Sequence, residues 1–365
     1  VVKCVHHIIE ERMMLVKKAF KYRIYPNKEQ QRSLAVQFGH TRFVYNWGLA
    51  LRKAHYKQTG QGLSYFDCNV RLTELKRQEE YAWLREADSQ VLQQKLKDLD
   101  RAYVNFFEGR ANYPTFKSKR SKQSIRYPQR FKIKGDRIYL PKVGWIKTVF
   151  HRPVEGEMKN VTVSRTKSGK YFVSIQCEVE IDEPVYVGSE AGIDLGLVDF
   201  ATLFDSALFD SNEHEHPVHS RTIPNPRHLR KAEKRLRRLQ RRLSRCQKGS
   251  KGYEKVKRLL ARQHEKVANQ RRDFQHKQSR SLVDRYGLMC FENLNVAGML
   301  KNHRVAKSIA DAAWGAFVRQ CEYKGRWYGC QIQKVGRFFP SSKLCSACGE
   351  IHQTLKLSER KWICA

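Results

Sequence analysis

The sequence predicts a mixed α+β protein with more than one domain, and three patterns support this prediction. Residues 124–180 contain short segments that alternate bulky and polar side chains, which is typical of antiparallel strands. Residues 28–58 and 89–107 repeat apolar side chains at helical intervals. From residue 188 onward, apolar strands alternate with helical segments, as in an α/β domain. With 365 residues, the chain is long enough for two or three hydrophobic cores.

The charge of the chain is strongly unbalanced. It contains 71 Lys and Arg residues against 36 Asp and Glu residues, a formal net charge of +35. Self-repulsion at this charge opposes the compact state, so nucleic acid is the first candidate partner and a merely basic surface the weaker alternative. No stretch reaches the ~20 apolar residues of a membrane-spanning helix, so we expect no membrane partner. Ten cysteines without a small secreted framework indicate a reducing, cytoplasmic environment.

The first third of the chain predicts one strand followed by helices. Residues 1–13 precede any pattern, and we interpret them as an extra segment from upstream translation or an artefact. Residues 19–25 alternate bulky and basic side chains up to Pro26, which predicts a strand that ends in a turn. The helix at 89–107 has an apolar stripe that indicates core packing rather than a cofactor site. The stripe consists of Leu92, Leu96, Leu99, Tyr103 and Phe106.

A loop that mixes aromatic and cationic side chains follows at 113–120. Such a loop suits phosphate contact and base stacking, although a solvated linker remains the alternative. Its candidate nucleic-acid-binding residues are Tyr113, Phe116, Lys117, Lys119 and Arg120. With the opening strand, the short strands after this loop predict a small antiparallel barrel or sandwich interrupted by the helices.

A basic helical hairpin is predicted over 226–280. Leucines spaced by seven, three and four residues along its first helix form a heptad-like seam, so the apolar face is packed between helices. The cations on the outer faces form either an arm that grips a nucleic-acid backbone or a solvated charge run. The candidate backbone contacts are Arg237, Arg238, Arg241, Arg242 and Arg245.

Two predicted strands each present a single carboxylate. Asp194 lies in the apolar strand 191–197, and Glu292 lies near the end of the apolar strand 288–294. Carboxylates on rigid strands can hold two Mg2+ ions about 3.5–4 Å apart, the arrangement of metal-dependent phosphodiesterases. An Asp between two glycines is also common in turns, and the second strand with its acid favours the catalytic interpretation.

The chain as printed ends in a cysteine cluster. Cys345 and Cys348 form a C-x2-C pair, and Cys364 follows at the spacing of a zinc ribbon, which predicts three of four Zn2+ ligands. Cysteines that serve only as small buried hydrophobes are the weaker alternative. Three nearby residues are candidate phosphate contacts, although solubility would explain them almost as well. They are Arg337, Ser342 and Lys343.

Several segments are together similar to the motifs of one known family. They are residues 19–30, 41–47, 99–102, 113–117, 192–196 (Gly-Ile-Asp-Leu-Gly), 291–294 (Phe-Glu-Asn-Leu) and 340–343 (Pro-Ser-Ser-Lys), with Cys345 and Cys348. In this order they resemble TnpB, the OrfB-type proteins of insertion sequences, which are relatives of the type V CRISPR effectors. The resemblance extends over residues 14–365.

The resemblance implies a division of the chain into domains. A wedge-type β-barrel would comprise 14–27 and 110–185, with a helical recognition lobe, 28–109, inserted in it. A RuvC-like nuclease domain of RNase H fold would comprise 186–335, including the basic hairpin. An incomplete zinc ribbon would comprise 336–365.

The resemblance also implies an activity. Such a protein binds a guide RNA from the end of its element, finds double-stranded DNA beside a short motif by base pairing, and cuts it with Mg2+ or Mn2+. Asp194 matches the first acid of the nuclease motif and Glu292 matches the second. Sequence reading is then left mainly to the RNA, which agrees with a large positive charge. A cytoplasmic, nucleoid-associated location is expected.

The printed chain departs from the family pattern at its end. The third acid of the family follows the fourth zinc cysteine, and both positions lie beyond Ala365. We therefore expect a C-terminally truncated copy that cuts DNA poorly and binds Zn2+ weakly. The alternative function is a nuclease-inactive RNA-guided DNA-binding protein or transcriptional repressor. A transposase that joins DNA itself is disfavoured, since no tyrosine or histidine pair is arranged as a DNA-cleaving nucleophile site.

Overall fold

The computed structural model describes residues 13–186, 188–205, 220–336, 339–340, 343–345 and 348–355. The chain forms two compact units. The first extends to Asp182 and includes Lys257–Arg262, and the second comprises Glu183–Val256 and the residues from Gln263 onward. Among the described residues, no helix combines the length and the apolar character needed to cross a membrane.

The first unit is built on one antiparallel sheet of seven strands. The strands are β1 (Met13–Tyr25), β2 (Gln123–Tyr127), β3 (Lys132–Lys134), β4 (Arg137–Leu140), β5 (Gly144–Val149), β6 (Glu157–Arg165) and β7 (Tyr171–Asp182). They pair in the order β2-β6-β7-β1-β5-β4-β3. The central strand β1 pairs with β7 from Met13 to Ile24 and with β5 near its end.

One face of this sheet is the core of the first unit. Side chains alternate strictly along the strands, so that Ile24, Ile146, Val163 and Val173 are all fully buried while their sequence neighbours are not. This period of two is the pattern on which the strand prediction rested, and the predicted antiparallel sheet is confirmed. Closure of the sheet into a barrel remains a prediction.

The helices of the first unit lie between β1 and β2 in the chain. They are α1 (Lys28–Thr59), α2 (Tyr65–Leu75), a 3-10 helix (Glu79–Glu86) and α3 (Ser89–Phe107). A capping box fixes the start of α1, because Asn27 Oδ1 accepts from the Gln30 amide at 2.8 Å. The helix α3 packs closely on α1 at Gly48, where a Cβ atom would lie 2.8 Å from Leu96 Cδ2. The predictions of α1 and α3 are confirmed.

The second unit contains a five-stranded mixed sheet. Its strands are β8 (Ser189–Asp194), β9 (Asp199–Asp205), β10 (Ser220–Pro224), β11 (Tyr286–Glu292) and β12 (Gln331–Val335). The order is β10-β9-β8-β11-β12. The pairs β10/β9 and β9/β8 are antiparallel, whereas β8/β11 and β11/β12 are parallel.

In the part of the second unit that the structure describes, five helices accompany this sheet. They are α4 (His228–Ser244), α5 (Lys251–Arg285), α6 (Val296–Met299), α7 (Ala306–Ala312) and α8 (Trp314–Tyr328). The rings of Phe200 and Phe291 contact Phe317 of α8 at centroid distances of 4.9 and 6.3 Å, so α8 covers the core side of the sheet. The basic hairpin is confirmed as α4 and α5, and Ser250 caps the second helix by accepting from the Tyr253 amide at 3.0 Å.

Candidate active site and nucleic-acid-binding residues

The two predicted acids end neighbouring parallel strands. Ile193 of β8 pairs with Phe291 of β11, so Asp194 and Glu292 follow at the same level in the two strands. Ile193 and Phe291 are buried in the core, and alternation directs the next residues of both strands to the opposite face. The register therefore brings Asp194 and Glu292 together at the carboxyl ends of these two inner strands.

The electrostatics of Asp194 reflect this arrangement. Solvent reaches its side chain, yet the surrounding protein atoms remove enough hydration to raise the pKa of the carboxyl. The nearby Glu292 carboxylate raises this pKa further by charge repulsion, while a hydrogen bond from the Leu195 backbone N–H acts in the opposite direction. Two carboxylates that repel each other at the ends of adjacent strands are a suitable donor set for a divalent cation.

A tight turn holds Asp194 in place. Two residues after it, the Gly196 amide donates to the Phe200 carbonyl oxygen at 3.3 Å, which starts the return into β9. A Cβ atom at position 196 would lie 2.7 Å from the Asp199 carbonyl oxygen, so only glycine fits there without a backbone shift. At Gly192, by contrast, the nearest atom to a Cβ would be Phe204 Cβ at 3.9 Å, an ordinary contact.

Among the described residues, a candidate metal site contains at most two possible protein ligands. In the part of the chain that the structure describes, no group of three or more His, Cys, Asp or Glu side chains could hold a metal ion. Mg2+ is commonly held by one or two carboxylates with water completing its shell, so Asp194 and Glu292 fit this ion.

The described part of the cysteine cluster forms a small hairpin. Leu344 and Ile351 make an antiparallel bridge, and the Cys345 amide donates to the Glu350 carbonyl oxygen at 2.8 Å. The Gly349 amide returns to the Cys345 carbonyl oxygen at 3.0 Å, and Gly349 has a left-handed φ of 74° directly after Cys348. The third predicted ligand, Cys364, lies outside the described residues.

The cations of α4 are displayed to solvent as predicted. Arg238, Arg241, Arg242 and Arg245 are exposed, whereas Leu236 of the seam is buried. Arg237 is exposed as well, but its guanidinium pairs with Glu233 at 3.0 Å. Of the five predicted arginines, the other four make no such ion pair among the described residues.

The residue that anchors α4 was not predicted from the sequence. The half-buried Asp311 of α7 accepts from the Leu229 backbone N–H at 2.9 Å and from Arg271 of α5 at 2.9 Å. Arg227, at the N-cap of α4, provides no side-chain cap, so Asp311 supplies a cap from a distant part of the chain. Lys307 of α7 also pairs with Glu233. An acid 82 residues away from its partner amide has no local sequence pattern that could predict this role.

The predicted loop at 113–120 is only partly free for binding. Tyr113, Phe116, Lys119 and Arg120 are exposed. Lys117 is half-buried, with its Nζ atom 3.5 Å from the centroid of the Tyr45 ring. Burial, with some repulsion from Lys95, lowers the pKa of Lys117 to about 8. Its backbone is held by Asn46 through reciprocal hydrogen bonds of 2.8 and 2.9 Å.

The remaining predicted contacts lie close to the cysteine hairpin in the sequence. Lys343 donates from Nζ to the Gln353 carbonyl oxygen at 2.9 Å, which keeps its ammonium group on the hairpin itself. Arg337 and Ser342 lie outside the described residues.

Comparison with known families gives matches along most of the chain. Residues 174–303 match the OrfB_IS605 model, described as "Probable transposase". Residues 13–61 match a model described as "Helix-turn-helix domain", and residues 314–365 match "Cas12f1-like, TNB domain". In this structure residues 13–61 form the strand β1 and the single long helix α1.

Two curated proteins are similar over nearly the whole chain. A "Putative RNA-guided DNA endonuclease" of Streptomyces pristinaespiralis is 38% identical over 360 residues, covering 96% of this chain and 85% of the relative. The "Putative RNA-guided DNA endonuclease InsQ" of Escherichia coli K12 is 36% identical over 364 residues, covering 95% and 87%. A solved Cas12f1–sgRNA–target DNA complex contains a chain with 14% identity, a TM-score of 0.47 and coverage of 94% and 93%.

Proposed function

Because this chain belongs to the TnpB (OrfB-type) family of insertion-sequence proteins, we propose that it is a transposon-encoded, RNA-guided DNA endonuclease. The observation that supports cleavage most directly is the position of Asp194 and Glu292, each one residue beyond the paired Ile193 and Phe291 of adjacent parallel strands. The names of the curated relatives support the guided DNA substrate.

We propose further that the second unit is a RuvC-like domain of RNase H fold. Counted from β8, its strand order is 3-2-1-4-5, with three antiparallel strands followed by two parallel ones. This arrangement is that of the RNase H fold. In it, the first and fourth strands are neighbours, so acids at their ends form one site without any contribution from the loops.

The proposed chemistry is Mg2+- or Mn2+-dependent hydrolysis of a phosphodiester. A bound divalent cation lowers the pKa of its water and stabilises the leaving oxygen. Asp194 and Glu292 would hold such an ion, and the core packing of Ile193 and Phe291 keeps their strands rigid. Binding would also relieve the repulsion that raises the pKa of Asp194.

The proposed macromolecular partners are a guide RNA from the end of the element and double-stranded DNA beside a short adjacent motif. The exposed arginines of α4 and the side chains of the 113–120 loop would contact phosphates or bases. These partners imply a cytoplasmic location, at the nucleoid. Cys345 and Cys348, with Cys364, are the proposed Zn2+ ligands.

The test is co-purification of this polypeptide with RNA transcribed from its own genomic flank, followed by incubation with a matching DNA duplex and Mg2+. Asp194→Asn is the active-site variant, and Asp199→Asn, five residues further along, is its matched control. We expect both variants to retain RNA, with cleavage lost only in Asp194→Asn. Retained RNA and duplex without cutting in the wild type would favour a guided DNA-binding protein or repressor. Absence of bound RNA would refute the proposal.

A further inference from the structure

The two acids share one face of the five-stranded sheet with a small set of other residues. Paired residues of neighbouring strands project to the same side, so the register defines rows of side chains across the sheet. The row of the acids consists of Thr202, Asp194, Glu292 and Val335. The adjacent row consists of Phe204, Gly192, Cys290 and Gln333. We call these two rows the acid-bearing face.

Gly192 leaves a gap in the second of these rows. It lies between Phe204 of β9 and Cys290 of β11, and a Cβ atom added to it would lie 3.9 Å from Phe204 Cβ. The Sγ atom of Cys290 lies 4.0 Å from Oε1 of Gln333, on the side of β12. Because glycine has no side chain, its backbone is the floor of a gap that has an aromatic ring on one side and a thiol on the other. We call this feature the Gly192 gap.

Phe204 presents its ring to solvent beside the Gly192 gap. The residue is 41% exposed, and among the described residues no other ring or cation contacts it. Asp194 pairs with Thr202, so Phe204 is diagonal to Asp194, a relation that places Cβ atoms ~7–8 Å apart. An exposed ring at this distance from a proposed catalytic acid is a stacking position for a base attached close to the scissile phosphate.

Charge alone cannot hold a nucleic-acid strand at the acid-bearing face. Asp194 and Glu292 repel each other, and they repel a phosphodiester in the same way. Neither of the two rows contains a lysine or an arginine on the strands β8, β9, β11 and β12. A cation held by the acids would attract a phosphate but would not orient the nucleotide attached to it. Stacking does not depend on charge, so it is the contact with a strand that these rows are able to supply.

We propose that Phe204 stacks on an unpaired base of the DNA strand that the guide displaces, next to the scissile phosphate, and that the Gly192 gap accommodates the edge of this base. The base must be unpaired, because a base within a duplex is already stacked on its neighbours. Phe204 thereby holds the strand so that its phosphate lies at Asp194 and Glu292, without taking part in bond cleavage. This inference rests on the proposed function, since the strand is the substrate of the proposed nuclease.

The test uses the full chain with its flank RNA, Mg2+ and matching duplexes. In each duplex one nucleotide of the displaced strand, near the cut, is replaced by an abasic residue. With the wild type, the abasic residue should slow cleavage of that strand about tenfold at one position, the loss expected for one stacked base. Phe204→Ala should slow cleavage of the intact duplex by a similar factor, and the abasic residue should then add nothing. Phe204→Trp should restore the rate.

Three further variants separate stacking from folding. Phe204→Leu keeps an apolar side chain without a ring and should cleave as slowly as Phe204→Ala. Gly192→Ala narrows the Gly192 gap at an ordinary contact distance, so we expect slower cleavage at a wild-type melting temperature. Phe66→Ala removes a ring that is 75% exposed on α2 and is the matched control, expected to cleave at the wild-type rate.

Several results would overturn the inference. Wild-type cleavage rates in both Phe204→Ala and Phe204→Leu would exclude a role of the ring, and equal abasic penalties in wild type and Phe204→Ala would show that another group holds the base. If the wild type binds the duplex without cutting it, 2-aminopurine in the displaced strand replaces the rate as the readout. Its fluorescence should rise in Phe204→Ala at one position, and unchanged fluorescence at every position would reject the inference. If the wild type retains no flank RNA, the proposed function itself fails.

Discussion

The Asp194 carboxyl should cost the folded protein stability at neutral pH when no cation is bound. Its pKa is raised in the folded state by desolvation and by Glu292, so the ionised form is favoured in the unfolded chain. The cost is present above the folded pKa and disappears as the pH falls below the unfolded pKa. Asp194→Asn should therefore raise the free energy of unfolding at pH 7, and the gain should vanish towards pH 3, as measured by urea denaturation.

Mg2+ gives a second measure of the same residue. If Asp194 holds the ion, Mg2+ at ten times its Kd should add about 1.4 kcal/mol to the stability of the wild type. Asp194→Asn should gain much less, while Asp199→Asn should respond as the wild type does. Equal thermal shifts in all three proteins, with and without Mg2+, would argue against a cation at this site.

The two glycines that flank Asp194 should differ sharply on substitution. Gly196→Ala brings a Cβ within 2.7 Å of a backbone oxygen, so the turn must move, and we expect a loss of about 1–3 kcal/mol. Gly192→Ala meets only an ordinary contact at 3.9 Å and should stay within about 0.5 kcal/mol of wild type. Equal effects in chemical denaturation would contradict the turn geometry. The sequence shows both glycines but cannot distinguish them, because the close oxygen belongs to the backbone of Asp199.

Some residue roles depend on neighbours that no local pattern reveals. Lys117 lies in a basic loop and resembles a phosphate contact, yet its ammonium group packs over Tyr45, which comes from α1, 72 positions earlier in the chain. The closeness of Asp194 and Glu292, as distinct from their proposed role, was predictable for the opposite reason. Each is an acid at the end of an apolar strand, and parallel pairing of such strands brings their ends together.

At the scale of elements, Asp311 should be the residue whose replacement destabilises the basic arm most. Asp311→Ala removes the cap of α4 and leaves the partly buried Arg271 without its carboxylate, so we expect a loss of about 2–4 kcal/mol. Amide hydrogen exchange should increase first in the initial turn of α4. Asp273→Ala breaks only an exposed pair with Lys277 and should cost at most about 0.5 kcal/mol. Comparable losses in the two variants would show that Asp311 has no anchoring role.

The elements that the sequence predicted well are those with long regular periods. The helices α1, α3, α4 and α5 span 17 to 35 residues, and a repeat of apolar side chains identifies each one. Neither α6 nor α7 was predicted, because four and seven residues are too few for a helical period to become visible. The short strand β3 was missed for the same reason. The strand order of the second sheet depends on tertiary pairing, which a single sequence does not encode locally.

At the scale of the whole molecule, a bound nucleic acid would neutralise part of the net charge of +35, and the proposed contacts of the two units differ in kind. In the first unit, the 113–120 loop combines the exposed cations Lys119 and Arg120 with exposed aromatic rings, so affinity there should include a salt-independent stacking component. In the second unit, the arm offers arginines without interleaved aromatics, so its contribution should be almost purely electrostatic. The two surfaces can therefore be separated by salt titration.

The arm provides the clearest test of this distinction. Each duplex phosphate contact contributes about 0.9 to the slope of log K against log salt concentration. The double variant Arg241→Gln/Arg242→Gln should lower that slope for a DNA duplex by roughly 1 to 2. Arg237→Gln on the same helix is the control, because Arg237 already pairs with Glu233 and should change the slope by less than half a unit for that reason. The titration would contradict the arm's role if the double variant kept the wild-type slope. It would contradict the assignment of Arg237 if that single variant produced the larger change.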